Sequence, residues 1–297
     1  MKNLFLYLNI VRWKNLLLLL FSQLLFKYRI FPYFKTTSYF SNFDFFIFAT
    51  TTLLIAAGGY IINDIYDLKC DSVNKPKTIY IPSLIKLKEI KVVYASVAIV
   101  AMGLSVVLCL RTNNAAHIGT FSLVIIILHL YSSHLKRYAL IGNIVIGFLI
   151  SLHLLLLGIL DTDMVETNDG IRLLITFSVF AFVINIVREI IKDIEDKKGD
   201  VFAGMKTLPI VLGTRKSLNI ILFISLCTLC LLLYWGFIVL HSNFSIKTLF
   251  FIFIILPFLL FLNKTHKAKN QEDFTFLSAL LKVILALGLA FTLLMTI

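Results

Sequence analysis

The chain has 297 residues, 59% of them hydrophobic and 15% charged, with a mean hydropathy of +0.94. A water-soluble domain has too little interior to hide that much apolar surface, so the bilayer must act as solvent and a soluble globular protein is excluded. The formal charge of +12 comes mostly from segments flanking apolar runs and has no nucleic-acid recognition motif beside it. We read it as a topology signal, assisted by anionic membrane lipid, and expect no nucleic-acid partner.

Nine apolar runs suit helices crossing about 30 Å of hydrocarbon. The first, residues 4–26, carries Arg12 and Lys14 and is followed by KYRIFPYF with no small-x-small cleavage site, so it reads as a span and not a signal peptide. The second, 45–62, contains no charge and then delivers Asp64, Asp67 and Asp71 in the stretch YIINDIYDLKCDSVNKPK. Runs at 92–110, 118–131 and 140–160 follow, the fourth being short, with YSSHLKR between the fourth and fifth. The acidic segment DTDMVETNDG precedes the sixth run, 171–187, which leads into VREIIKDIEDKKGDVFAGMKTLP and so to Asp193, Asp196 and Asp200. The last three runs cover 218–240, 249–262, also short, and 274–297. No linker or low-complexity segment divides the chain, which is read as one membrane domain, 1–297.

The loops give an orientation. Eighteen Lys and Arg fall in the loops after the second, fourth, sixth and eighth runs, against six in the others when Arg172 is counted. The positive-inside rule puts the first set in the cytoplasm, the N-terminus inside and the C-terminus outside. The expected fold is all-α: nine transmembrane helices bundled around a cavity that opens to the cytoplasmic face. A bacterial plasma membrane is the expected location. Cys227 and Cys230 form a C-x-x-C inside an apolar helix with no partner pair, and read as packing residues. The six histidines show no ligand spacing and read the same way. No sequence feature points to an oligomeric state.

The two acid clusters share one spacing, three then four, and end spans separated by an even number of crossings, so both emerge on the face that the lysines mark as cytoplasmic. On a helix that spacing puts carboxylates on one stripe. Their repulsion would be relieved by a hard divalent cation, for which all-oxygen donors suit Mg²⁺. Magnesium uses few protein carboxylates and completes its shell with water and substrate phosphates, so paired clusters imply a phosphorylated ligand. Lys75 and Lys77 follow the first cluster, Arg188, Lys192, Lys197 and Lys198 surround the second, and Lys136 and Arg137 lie in the loop between the fourth and fifth runs on the same side. Cations beside metal-binding acids match the needs of a diphosphate.

N-D-x-x-D-x-x-x-D after the second helix and D-x-x-D-x-x-x-D after the sixth, in a nine-helix chain, resemble the UbiA superfamily of intramembrane prenyltransferases. The resemblance covers nearly the whole chain, in helix count and motif placement as well as motif text. It implies Mg²⁺-dependent transfer of a prenyl group from a prenyl diphosphate to a lipophilic acceptor, with release of pyrophosphate. It implies that Asp64, Asp67, Asp71, Asp193, Asp196 and Asp200 are the metal-binding and catalytic set, aided by Asn63. VRWKN is similar to the family's Arg-x-x-Asn and would place Arg12 and Asn15 in the cavity. YSSHLKR is similar to the family's tyrosine and lysine, here Tyr131 and Lys136, and REIIKDIEDKKGD…KTLP is similar to the branch that alkylates geranylgeranylglyceryl phosphate. One departure stands out. Where the family's first loop continues Asn-x-Pro-x-Arg-Pro, this chain reads NKPKTIYIPSL, so either Lys75 or Lys77 replaces the arginine or the loop holds the diphosphate differently.

In that reading the metal and Lys136 stabilise charge on the leaving pyrophosphate. The hydrocarbon-embedded helices keep water from the allylic cation, and Tyr66 and Tyr131 are candidates to face it. Gly58 and Gly59 allow close helix approach beside a prenyl groove. No residue stands out as the base; an acid of the second cluster, Glu189 or Glu195 could serve. The expected acceptor is a geranylgeranylglyceryl-phosphate-like lipid, with an aromatic quinone precursor as the alternative. An ion or solute transporter is the alternative of another class, disfavoured because ion pathways place acids near the midplane and these sit at helix ends.

Overall fold

The computed structural model describes residues 7–74, 84–165, 168–239 and 244–296. Nine helices long and apolar enough to cross a membrane are found among them: α1 (Trp13–Tyr33), α2 (Asn42–Asn74), α3 (Leu87–Thr112), α4 (Ala116–Ser133), α5 (Ile141–Asp161), α6 (Asp169–Glu195), α7 (Thr214–Val239), α8 (Phe244–Lys267) and α9 (Gln271–Leu294). No strand occurs among the described residues, only an isolated bridge between Tyr138 and Lys206. This follows from the solvent. In hydrocarbon every backbone N–H and C=O must be satisfied within the segment, which a helix does and an open strand does not. The multi-pass, all-helical expectation holds.

More than half of the most apolar stretch of α2 and of α6 is buried in protein, 56% and 61%, against 17% to 28% in α3, α4, α7 and α8. Residues such as Ile99, Leu110, Phe223 and Phe237 stay exposed on the less buried helices, where lipid is as good an apolar partner as protein. The two helices that carry the acid clusters are thus the two most enclosed. At 1.5 Å per residue the 33 residues of α2 reach about 50 Å, well beyond a hydrocarbon core of about 30 Å, so the helix continues unbroken through Asp64, Asp67 and Asp71.

The chain forms two compact units, residues 1–136 with 152–171, and residues 137–151 with 172–297. In the first, α2 packs along α3 and α4 and receives α1. A Cβ on Gly59 would lie 3.0 Å from a Leu128 methyl, so the glycine sets how closely α2 and α4 approach. Ile10, Ile61, Ile85 and Ile90 form a buried cluster beside the acid-bearing half of α2. Near the other end, Phe40, Phe48 and Phe121 stack in sequence, with the ring of His117 against Phe40.

That second end is closed by a buried ion pair. α1 passes through a π-helical turn, Phe26–Ile30, before Pro32, a local widening that often marks a special site. From this turn the Lys27 ammonium donates to Asp161 Oδ2 at 2.9 Å and to the Phe40 carbonyl at 2.7 Å. Asp161 also accepts from the Ser38 hydroxyl at 2.9 Å and the Phe40 N–H at 2.6 Å. The two side chains are 6% and 0% exposed. Nearby, Asp163 accepts a hydrogen bond from Tyr39, which raises the phenol above its ordinary pKa.

In the second unit α8 also contains a π-helical turn, Phe251–Ile255, followed by Pro257. It packs against α9 through Phe250, Ile254, Ile255 and Phe291, with Trp235 of α7 on Phe250. α9 starts with a reciprocal capping box between Asn270 and Asp273, which satisfies backbone donors at its first turn. The first half of α5 meets α6 at Gly147, where a Cβ would stand 3.0 Å from an Ile186 side-chain carbon and 3.1 Å from the Phe182 carbonyl oxygen.

The Lys27–Asp161 pair generates a stability prediction. Lys27→Met leaves a fully buried carboxylate without its cation and is expected to cost about 3–5 kcal/mol in denaturant unfolding of the detergent-solubilised protein. The double variant Lys27→Met, Asp161→Leu is expected to recover part of that loss. A single variant as stable as the wild type would show that the pair does not hold this end together.

Candidate active site

Each acid cluster is built within its own unit. On α2, Asp64 Oδ1 accepts from Arg12 Nη2 at 3.1 Å. Asp67 Oδ1 accepts from Lys136 Nζ at 2.5 Å, and its Oδ2 from the Asn63 amide at 2.7 Å. Lys136 also donates to the Asn63 side-chain oxygen at 3.2 Å. The Arg12 guanidinium lies over the Tyr60 ring, 4.8 Å from its centre, and Asn15 Nδ2 donates to the Tyr60 hydroxyl at 3.2 Å. Six of the residues singled out in the sequence therefore fall in two adjacent bonded groups on α2, Arg12 and Asn15 with Asp64 and Tyr60, and Lys136 with Asn63 and Asp67. Asp71 is half-buried four residues beyond Asp67 on the same helix, and Tyr131 is half-buried on α4. Lys75 and Lys77 lie outside the described residues. Tyr66 packs edge-on against His129, 5.8 Å between ring centres.

The local chain explains why these groups meet. Residues 60, 63, 64, 67 and 71 follow the three-and-four spacing of one helical face. Arg12 comes to that face because the helix of residues 7–10 is interrupted at Val11 and Arg12 before α1 begins at Trp13: Arg12 itself has φ 52° and ψ 51°, a left-handed conformation uncommon outside glycine. Lys136 arrives from a single 3₁₀ turn, Leu135–Arg137, after α4.

The second cluster differs from the first. The shared spacing predicts a continuous stripe on both, yet α6 ends at Glu195 and Asp196 (φ −90°, ψ 5°) starts a new short helix, Lys197–Phe202. Backbone bonds from Asp196 N to Lys192 O, 2.7 Å, and from Asp200 N to Asp196 O, 3.1 Å, carry the chain across the break. Asp196 has a low helix propensity, and the chain turns there before the short helix that contains Gly199. Asp200 is buried and accepts from the Thr207 hydroxyl at 3.3 Å. Lys206 N donates to the Arg137 carbonyl at 2.8 Å, which ties the following segment to the start of α5.

Asp193 Oδ2 accepts from the buried Asn143 amide at 2.8 Å. Glu189 Oε1 accepts from both Arg188 Nη1, 2.8 Å, and Lys192 Nζ, 2.7 Å. Arg188 is buried and its Nε has no hydrogen-bond partner. Committed to two cations, Glu189 is poorly placed as a free base. Glu195, the other candidate, accepts from the Thr275 hydroxyl at 2.7 Å. Sequence reasoning passed over Tyr60, Asn143 and Gly147. Asn143 is a lone amide in the uncharged run LIGNIVIGF, a signal that was available; the role of Tyr60 depends on Arg12 folding back onto it, which no local pattern announces.

Among the described residues, no three His, Cys, Asp or Glu side chains converge closely enough to hold a metal ion by themselves. The donors do fit a hard cation: they are oxygens of Asp64, Asp67, Asp71 and Asn63 on one face of α2, and Mg²⁺ takes one or two protein carboxylates, leaving the rest of its shell to water and phosphate.

The profile of the UbiA prenyltransferase family matches residues 31–281. The chain belongs to that family. It is 34% identical over 193 residues to digeranylgeranylglyceryl phosphate synthase of Sulfurisphaera tokodaii, an alignment covering 65% of each chain and thus less than two thirds of that relative. The solved structure of a digeranylgeranylglyceryl phosphate synthase in membranes matches with a TM-score of 0.67 and 25% identity, over 99% of this chain and 98% of that one. A UbiA homolog from Archaeoglobus fulgidus, bound to DMAPP and Mg²⁺, has the same fold, with a TM-score of 0.63 at 16% identity over 96% and 98%.

The contact between α5 and α6 that presents Asn143 to Asp193 can be tested by itself. Asn143→Leu removes the donor from a carboxylate in apolar surroundings and is expected to cost about 1–3 kcal/mol of stability. Gly147→Ala forces the helices apart at a backbone contact and is expected to cost a similar amount, about 1–3 kcal/mol. Both are read by unfolding of the detergent-solubilised protein; unchanged midpoints would mean that the contact is not made.

Proposed function

We propose that this UbiA-family protein transfers a prenyl group from a prenyl diphosphate to the hydroxyl of a geranylgeranylglyceryl-phosphate-like lipid, with Mg²⁺ as cofactor and pyrophosphate as the second product. The carbon–oxygen bond to diphosphate breaks, an ether bond to the acceptor oxygen forms, and the acceptor hydroxyl loses its proton. The observation that carries this reading is the pair of bonded groups on one face of α2, Asp64 with Arg12, and Asp67 with Lys136 and Asn63. Cationic and acidic groups interleaved in this way suit a metal-bound diphosphate, which needs both. The names of the relatives support the acceptor, and the DMAPP and Mg²⁺ in the A. fulgidus homolog support the donor and the metal.

When bound, the metal supplies Lewis-acid stabilisation of charge on the leaving diphosphate. The chain's residues do the rest. Asp64, Asp67 and Asp71, and likewise Asp193, Asp196 and Asp200, offer carboxylate oxygens, and Asn63 an amide oxygen. Arg12, Lys136, Arg188 and Lys75 supply fixed positive charge for phosphate oxygens. Asn15 orients Tyr60, and Tyr131 is a candidate to line the substrate site. The apolar lengths of the helices exclude water from the reacting carbon. The whole chain acts as one membrane-embedded catalytic domain, its acid clusters facing the cytoplasm of a prokaryotic cell as the lysine distribution indicates. Since the matched relatives are archaeal, the bacterial assignment gives way to this coarser one.

The test is pyrophosphate release by the purified protein given geranylgeranyl diphosphate with geranylgeranylglyceryl phosphate or, in parallel, hydroxybenzoate or dihydroxynaphthoate. Release is expected with the glyceryl phosphate and lost with EDTA. Asp64→Ala, Asp67→Ala and Asp196→Ala are each expected to lower it by about 10²–10³-fold or more, with the helical circular dichroism signal retained. Prenylation of the aromatic acids alone would replace the acceptor and keep the reaction class. Full activity in EDTA would sink the magnesium reading.

A further inference from the structure

Three carboxylates spaced three and four apart on α2 repel one another, and two of them are held by cations. Asp64 is paired with Arg12 and Asp67 with Lys136, at 3.1 and 2.5 Å. Both cations come from outside the helix. Each occupies a carboxylate oxygen that a divalent ion would need, and Asn63 takes the remaining oxygen of Asp67. A dication entering beside these fixed charges meets a repulsion twice that between two unit charges at the same distance.

We propose that Arg12 and Lys136 are resident counter-ions of this cluster, and that they exchange the carboxylates for the diphosphate when a divalent cation takes their place. The exchange rests on the prenyl-diphosphate reading above and adds to it an order of events. Metal alone binds weakly, because it must displace two cations from their carboxylates. A diphosphate supplies the anion that receives them, so metal and diphosphate bind together. By linkage each raises the affinity of the other by the same factor.

The chain around Arg12 is built for such a release. Arg12 sits in the left-handed region at φ 52°, a conformation that costs free energy for a residue with a side chain and persists only where its surroundings hold it. Backbone bonds from Arg12 N to Asn9 O and from Asn15 N to Arg12 O hold the turn, and the side chain is held by the bond to Asp64 and by the Tyr60 ring under the guanidinium, with Asn15 on the Tyr60 hydroxyl. Breaking the bond to Asp64 leaves the Tyr60 ring to guide the arginine. Lys136 is gripped by Asp67 and by both oxygens of Asn63, at 3.2 Å and 3.5 Å. Binding of an ion at Asp67 therefore disturbs its bond to the ammonium group directly and the Asn63 side-chain bond through the amide that Asp67 holds.

The experiment uses the full-length protein in detergent and the spin-active probe Mn²⁺, with binding followed by electron paramagnetic resonance, first with the metal alone. Arg12→Gln is expected to bind Mn²⁺ alone about two- to fivefold more tightly than wild type, the range of a partly exposed ion pair. The gain is larger for Lys136→Gln, whose pair with Asp67 is better buried. With the unreactive geranyl S-thiolodiphosphate present, and metal bound by free diphosphate subtracted, the order reverses and both variants bind Mn²⁺ more weakly than wild type. Arg12→Lys keeps the charge and restores wild-type behaviour. Tyr60→Leu leaves every charge in place, loosens Arg12 and shifts metal-only binding in the same direction, which serves if Arg12→Gln does not fold. Tighter metal-only binding that weakens on adding the diphosphate supports the exchange. Should the neutral variants bind Mn²⁺ no more tightly than wild type, while Asp64→Asn weakens it, the exchange is overturned and the metal site survives. If Asp64→Asn changes Mn²⁺ binding in neither condition, the metal reading of this cluster fails and the exchange with it.

Discussion

Like charges on one face of a helix, at the margin of a low-dielectric slab, cannot be left uncompensated. α2 carries three carboxylates there, and water alone does not neutralise groups that are half-buried. Arg12 and Lys136 have to come to it, and much of the local architecture of the first unit can be understood as what brings them. The helix of residues 7–10, which packs Ile10 beside Ile61, breaks at the left-handed Arg12 before α1 begins at Trp13. The chain after α4 tightens into a 3₁₀ turn that carries Lys136. Both features end in an ion pair.

The opposite end of the first unit solves the same electrostatic problem for a different end. Lys27 and Asp161 are buried more completely than any acid–base pair at the α2 cluster, and Asp161 is saturated by Ser38 and the Phe40 N–H as well. A pair so fully enclosed and hydrogen-bonded has no coordination left for a ligand, and it serves as a structural tie. The pairs on α2 are less enclosed, with Arg12 and Asp64 38% and 24% exposed and Lys136 and Asp67 9% and 19%.

Much of this was legible from residues alone. Hydropathy located nine spans, and the end of α2 carries its acids on an unbroken helix as their spacing implied. VRWKN, by its resemblance, was expected to put Arg12 and Asn15 in the cavity; the structure places Arg12 on Asp64 and Asn15 on Tyr60. The second cluster was read less well. Identical spacing in NDIYDLKCD and KDIEDKKGD suggested identical geometry, but the chain breaks at Asp196, where KDIEDKKGD has Lys197 and Gly199 in the places that NDIYDLKCD fills with Leu68 and the buried Cys70 to hold a helix against its neighbours. Tyr60 and Asn143 were missed since an aromatic or a single amide in an apolar run reads as packing until its partner is known.

What the sequence by itself determined is the solvent, the number and order of the spans, the helical state and the chemical type of the site, because each depends on composition and short-range periodicity. Which carboxylate pairs with which cation was decided by tertiary structure alone. Arg12 meets Asp64 across 52 residues and Lys136 meets Asp67 across 69, distances over which no periodicity carries information. Such contacts exist only once helix packing has brought distant segments to within hydrogen-bonding range, and the same packing decided that Glu189 holds two cations and that Asp193 faces an amide.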